Sequence, residues 1–124
     1  MGKLNVQTTK LQDVKIITPA VFGDNRGFFE ETYSDRDFKE AGIDFDFIQD
    51  NQSLSSHAGV LRGLHFQRGK AAQTKLIRVV TGAVLDVIVD VRRGSPTYNQ
   101  WEAIFYLQVT IVNYWYHGAL PTVY

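Results

Sequence analysis

The stretch GVLRGLHFQ, residues 59–67, places Arg62 and His65 in the middle of an otherwise apolar run. Small water-soluble domains keep such groups at the rim, because a buried charge or an unpaired imidazole costs several kcal/mol unless a partner satisfies it. The same habit recurs nearby. FIQDN sets Gln49, Asp50 and Asn51 behind apolar residues, FFEE follows Arg26 with Glu30 and Glu31, and QTKLIRV puts Lys75 in front of an apolar run. A solvated strand end or face accounts for any one of these alone. Shared by adjoining strands, the pattern points to a polar-lined pocket. Its arginines, lysine and amides suit a ligand carrying phosphates and hydroxyls, since guanidinium grips phosphate in a bidentate fork.

The elements that must position these groups are mostly strands. The periodicity is chiefly two, broken at short intervals by turn residues, which predicts an all-β domain. Strands are expected at 14–19, 27–33, 47–55, 59–67, 74–82 and 83–92. One short helix interrupts them at SDRDFKEAG: Ser34 can cap it, Asp35 and Asp37 fall in its positive first turn, and Gly42 suits the left-handed exit. GDNRG at 23–27 and RRGSPTYN at 92–99 have turn chemistry, and Gly82 separates two runs able to pair as a hairpin. The predicted architecture is a jelly roll or similar antiparallel barrel, a fold that commonly encloses a small-molecule site. Strict alternation sends Arg62 and His65 to opposite faces, so they share a cavity only if the strand kinks, and Gly63 is where a kink is easiest.

Composition excludes several classes of function. The 124 residues carry 13 basic and 13 acidic side chains and are 44% hydrophobic, which describes one globular domain with no basic field for nucleic acid and no charged face for a membrane. The absence of cysteine removes disulfides, thiolate catalysis and cysteine-ligated zinc, and fits a reducing compartment. No apolar run is long enough to cross a bilayer, and MGKLNVQTTK lacks the apolar segment of a signal peptide, so a soluble cytoplasmic protein is expected. His57, His65 and His117 stand apart, with no H-x-H pair and no H-E-x-x-H, so no metal is expected. There is no G-x-S-x-G either, and Ser53, Ser55 and Ser56 sit in a polar loop.

Three segments, PAVFGDNRGFFEETYS, FIQDNQSLSSHAGVLRGLHFQ and QTKLIRVVTGAVLDVIVDVRRGSPTYNQW, resemble in order and spacing the dTDP-4-dehydrorhamnose 3,5-epimerases, a cupin-like jelly-roll family of nucleotide-sugar biosynthesis. The resemblance runs from about Leu11 to Trp101. It implies removal of the protons at C3 and C5, both made acidic by the C4 ketone, and their return on the opposite face. Such a reaction needs a base, a group that stabilises the enolate and an acid on the far side. His65 matches the family's proton acceptor and Lys75 the lysine beside the enolate oxygen. Arg26, Glu31, Gln49, Asp50, Asn51 and Arg62 match positions that hold the dTDP-sugar. No cofactor and no metal are implied, and a homodimer is, with KLNVQTTKL available to pair as a strand across the subunit interface. A related mono-epimerase, acting at C3 or C5 alone, and a catalytically dead binding fragment are the competing readings.

The resemblance stops after Trp101, where the family continues L-S-x-x-N-x-R-Q-L-x-x-P-x-G-F-A-H-G-F and this chain reads EAIFYLQVTIVNYWYHGALPTVY. One permitted back-translation of Ile104 onward, with a single thymine added in the codons of Phe105 and Tyr106, reads IFLSASNHRQLLVPRGFAHGL. Two bases of each shifted codon are set by the residue that follows, and at Trp115 and Tyr116 the shifted codon is forced to valine. Residues 1–105 are therefore read as the N-terminal part of the epimerase domain and 106–124 as an out-of-frame tail left by a one-base deletion, in the gene or in its sequencing. A chain ending this way lacks the opposing acid and several barrel strands, and is expected to be inactive.

Overall fold

A computed structural model describes residues 4–107, together with the backbone of 113–116 and 122–123. In chain order the described strands are β1 (Asn5–Thr8), β2 (Val14–Thr18), β3 (Val21–Asp24), β4 (Gly27–Glu30), β5 (Lys75–Arg78), β6 (Ala83–Val89), β7 (Trp101–Leu107), β8 (Asn113–Tyr116) and β9 (Thr122–Val123). A helix, α1 (Asp35–Glu40), lies between β4 and β5. All pairings are antiparallel, in sheets of order β1-β2-β8-β5, β3-β4 and β7-β6-β9. This is the antiparallel, nearly all-strand architecture that the period-two pattern predicts.

Alternation explains how the layers stack. In β2, Val14 and Ile16 pack with Leu11, Ile88, Ile104 and Tyr106, whereas Ile17 turns the other way to meet Phe38 and Ile43. β5 divides identically: Ile77 joins the first cluster and Leu76 the second. The four-stranded sheet is thus apolar on both faces, with the β6-β7 sheet against one and α1 against the other. A six-residue helix is too short to persist alone. Phe38 anchors it, 1% exposed, with the Tyr33 ring edge-on at 4.8 Å. Ser34 Oγ accepts from the Asp37 amide at 3.3 Å, and Gly42, at φ +85°, ends the helix as its sequence predicts.

A buried polar corner ties the N-terminal turn to the end of β6. Asp90, fully buried, accepts from Arg92 Nε at 3.0 Å, Ser95 Oγ at 2.5 Å and Thr97 Oγ1 at 2.7 Å. Arg92 reaches on to Asp13 at 3.0 Å and to the Gln12 carbonyl at 2.8 Å. Burial pushes the Asp90 carboxyl up, but the hydrogen bonds from Arg92, Ser95 and Thr97 outweigh it and hold the group well below the usual carboxylate range. RRGSPTYN is therefore a turn whose own side chains satisfy a buried charge.

The structure corrects several expected strands. Residues 47–55 form no ladder, and within 59–67 only His65 makes a single bridge. Ile48, Leu54 and Leu61 are 95%, 86% and 78% exposed. These segments have strand-forming side chains, but a strand exists only where a neighbouring backbone takes up its hydrogen bonds. The strand expected at 27–33 is the shorter β4, closed by GDNRG onto β3 in a two-residue hairpin around Asn25 and Arg26. The hairpin expected across Gly82 does not form: β5 pairs with β8 and β6 with β7 and β9, so Gly82, at φ +89°, carries the chain from one sheet to the other.

Candidate active site

Lys75 opens β5 on the same face as Ile77, which packs into the cluster of Val14, Ile88 and Tyr106. That face looks between the two sheets. On the opposing sheet, Val84 and Ile88 of β6 join the same cluster, so Asp86, midway between them, also points inward and is fully buried. Tyr106 of β7, opposite Val84 in the ladder, donates its hydroxyl to Asp86 Oδ2 at 3.2 Å. Asp86 Oδ1 has no partner among the described residues. Burial pushes the Asp86 carboxyl up to about 7, against the opposing pull of the Tyr106 hydrogen bond and the Lys75 charge. A lysine and a proton-poised carboxyl thus share the space between the sheets, where a developing negative charge would be stabilised strongly.

The other predicted residues lie on the irregular segment that precedes β5. Gly63, between Arg62 and His65, takes φ +112°, a conformation that favours glycine. Arg62 donates from its guanidinium to Ser55 Oγ at 3.3 Å, fastening residues 59–67 to the loop before them, while its buried Nε is unpartnered among the described residues. His65 is exposed. Gln49, Asp50 and Asn51 are exposed as well, and Gln49 Nε2 donates to Asn51 Oδ1 at 3.3 Å.

Arg26 lies apart, in the β3-β4 turn, where it chelates Asp24 through Nε and a terminal nitrogen. The pairing holds the Asp24 carboxyl below its ordinary range. Around it is an open cavity of about 270 Å³ lined by Phe22, Asp24, Arg26, Gly27, Phe28 and Phe29. Exposed aromatic rings beside a guanidinium form a surface on which a flat ring and a phosphate could both rest. Glu31 is half-buried at the end of β4, and its neighbour Glu30 reaches Arg78 of β5 at 3.9 Å, which fixes the hairpin beside the main sheet. The predicted site residues thus lie on three parts of the fold: Lys75 on the inward face of β5, Arg26 and Glu31 on the β3-β4 hairpin, and the rest on the segment before β5.

The family described as dTDP-4-dehydrorhamnose 3,5-epimerase matches residues 8–110. The chain belongs to that family. A Shigella flexneri dTDP-4-dehydrorhamnose 3,5-epimerase is 50% identical over 102 residues, 82% of this chain and 56% of its own length. A Bacillus anthracis family member solved with TDP and pyrophosphate bound superposes with a TM-score of 0.93 at 41% identity, over 97% of this chain and 69% of that one. A Legionella pneumophila epimerase solved with dTDP-4-keto-L-rhamnose gives 0.88 at 39% identity, over 97% and 63%. This epimerase-family chain spans about half the length of the curated relatives it matches.

This epimerase-family domain carries polar groups at its strand ends and between its sheets. One such group escaped the sequence reading. Asp86 stands in AVLDVIVDV at an inward position between Val84 and Ile88. Counting alternation through β6 would have found it, since a carboxylate on a buried face is the informative exception to apolar patterning. Among the described residues no helix is long and apolar enough to cross a membrane.

Proposed function

We propose that the chain is the N-terminal part of an enzyme that inverts C3 and C5 of dTDP-4-dehydro-6-deoxy-D-glucose to give dTDP-4-dehydro-L-rhamnose. His65 takes the proton next to the ketone, and Lys75, between the sheets, stabilises the enolate oxygen. Arg62, Gln49, Asp50 and Asn51 hold the sugar diphosphate from the segment preceding β5, while Arg26 and Glu31 hold it from the hairpin side. The observation that carries this reading is a family match running unbroken over residues 8–110 and containing every one of these positions. The ketone supplies the acidity of both protons, so the chemistry asks of the protein only a base, an electrostatic clamp on the enolate and an acid on the far face. The enzyme works as a cytoplasmic homodimer, for which the solvent-facing edge of β1, outermost in its sheet, offers a pairing strand.

The tail from residue 106 is, in the same proposal, the product of a one-base deletion, and the far-side acid lies in the other frame. The chain as written then lacks that acid and is inactive. Expressed from the reading frame with one thymine restored and incubated with the 4-keto sugar nucleotide in D2O, the enzyme should wash deuterium into C3 and C5 and form the L-rhamno product, as followed by proton NMR. Absence of both exchange and inversion in the restored enzyme refutes the catalytic reading of His65 and Lys75. Resequencing the DNA across the codons for Ala103 to Leu107 tests the tail: an additional thymine makes the tail a sequencing artefact, the family segment found in the other frame makes the deletion one of the gene itself, and DNA that encodes that segment in neither frame refutes the frameshift.

A further inference from the structure

We propose that Asp86 is the positioning residue of Lys75: a carboxylate held between the sheets whose unpartnered oxygen fixes the ammonium toward the reacting sugar, and for which the Tyr106 hydroxyl competes. The inference rests on the assignment of Lys75 to the enolate, and four observations carry it further. Asp86 is fully buried, and its Oδ1 has no partner among the described residues. An unsatisfied buried carboxylate oxygen is costly and is retained where it has work to do. Lys75 lies on the same β5 face as Ile77, which packs with Ile88 and Tyr106 from the Asp86 side of the sandwich. The positive charge of Lys75 is also felt at Asp86.

The remaining observation concerns Tyr106, which occupies Oδ2 at 3.2 Å. Tyr106 falls in the segment read as out of frame, and the restored string places leucine there. Leucine cannot donate, so the restored protein leaves both carboxylate oxygens to Lys75. The arrangement suits a group that must stabilise charge at a ketone: a lysine at the end of four rotatable bonds contributes little unless something sets its direction.

The test is a carbon-detected titration of the Asp86 carboxyl in the isotopically labelled chain, with Lys75→Met and Tyr106→Phe as companions. Removing an opposite charge that acts on a buried carboxyl moves its midpoint upward, by roughly one pH unit or more at close range. Lys75→Met should therefore raise the Asp86 midpoint by that much, Lys75→Arg should restore it, and Lys75→Gln replaces Met if the apolar change costs the fold. If Asp86 serves only to bond Tyr106, then Tyr106→Phe moves the midpoint and Lys75→Met leaves it in place, which overturns the proposal. Deuterium exchange in the protein expressed from the restored frame supplies the second readout: Asp86→Asn should lower kcat for exchange while leaving KM unchanged, and a rise in KM alone overturns the positioning role. A midpoint that moves in Lys75→Met, with no deuterium exchange in the restored protein, supports the Asp86–Lys75 pair and overturns the enolate assignment instead.

Discussion

Replacing Asp86 by Asn should stabilise the protein at neutral pH, an unusual outcome for a fully buried residue. Folding raises the carboxyl from its ordinary 3.8 to about 7, chiefly by burial. Between those values the folded chain keeps a proton that the unfolded chain has released, so stability falls as pH rises. A displacement of about three pH units, at about 1.4 kcal/mol each, sets a ceiling of about 4 kcal/mol on the loss. Asn leaves a carbonyl to accept from Tyr106 and removes the ionisation. Urea unfolding at pH 4.5 should then find the two proteins within about 1 kcal/mol, a typical limit for a near-isosteric change. The gap should widen in favour of Asp86→Asn up to about pH 7 and stay level above. Parallel stability curves across that range refute the reasoning, and a gap that widens in favour of Asp86 reverses it.

The buried corner at Asp90 should behave oppositely. Its carboxyl is held low by Arg92, Ser95 and Thr97, so its stabilisation is present above the unfolded carboxyl pKa and is lost only as pH falls through the folded value. Asp90→Asn should cost about 3 kcal/mol at pH 7 in urea unfolding, the scale for stranding one partner of a buried pair, and the penalty should shrink below pH 4. Phe38→Ala should cost about 3–5 kcal/mol by the same assay, because the ring is the anchor of α1 and is 1% exposed. In the protein expressed from the restored frame, His65→Asn should lower deuterium exchange by roughly 10²–10⁴-fold, the range for loss of a general base, with the circular dichroism spectrum unchanged.

The legible parts of the sequence were those decided locally. Ser34, Asp35, Asp37 and Gly42 wrote α1 into six residues, and GDNRG wrote the β3-β4 turn, because caps and turns satisfy their own hydrogen bonds within a few positions. What depended on distant backbone was less legible. Gly82 sits between two strand-forming runs in either topology, and only the pairing of β5 with β8 shows that it joins two sheets rather than turning a hairpin. The site followed the same division. Gly63 takes the positive φ that its glycine allows, whereas the inward faces that carry Lys75 on β5 and Asp86 on β6 meet in a sandwich that no local pattern specifies.

Residues 47–67 are the strongest case of strand-competent sequence without a strand, and they connect the fold to the tail. Ile48, Leu54, Leu61 and Leu64 are all more than half exposed, and the ladder there is limited to the bridge at His65. Apolar side chains in period-two order are left in water when no backbone stands beside them to accept the pairing, because an unpaired strand gives up conformational entropy with no hydrogen bond in return. The solved Bacillus anthracis relative, superposed over 97% of this chain, has nearly a third of its own length beyond the match, which covers 69% of it. If that further length supplies the missing neighbours, adding back one thymine and expressing the full reading frame should convert 47–55 and 59–67 into ladder strands. Amide hydrogen exchange would then show protection across residues 47–67 in the restored protein and little in the chain as written. Equal exchange in the two proteins would mean that these residues are irregular by their own sequence, and the out-of-frame tail would have no part in their exposure.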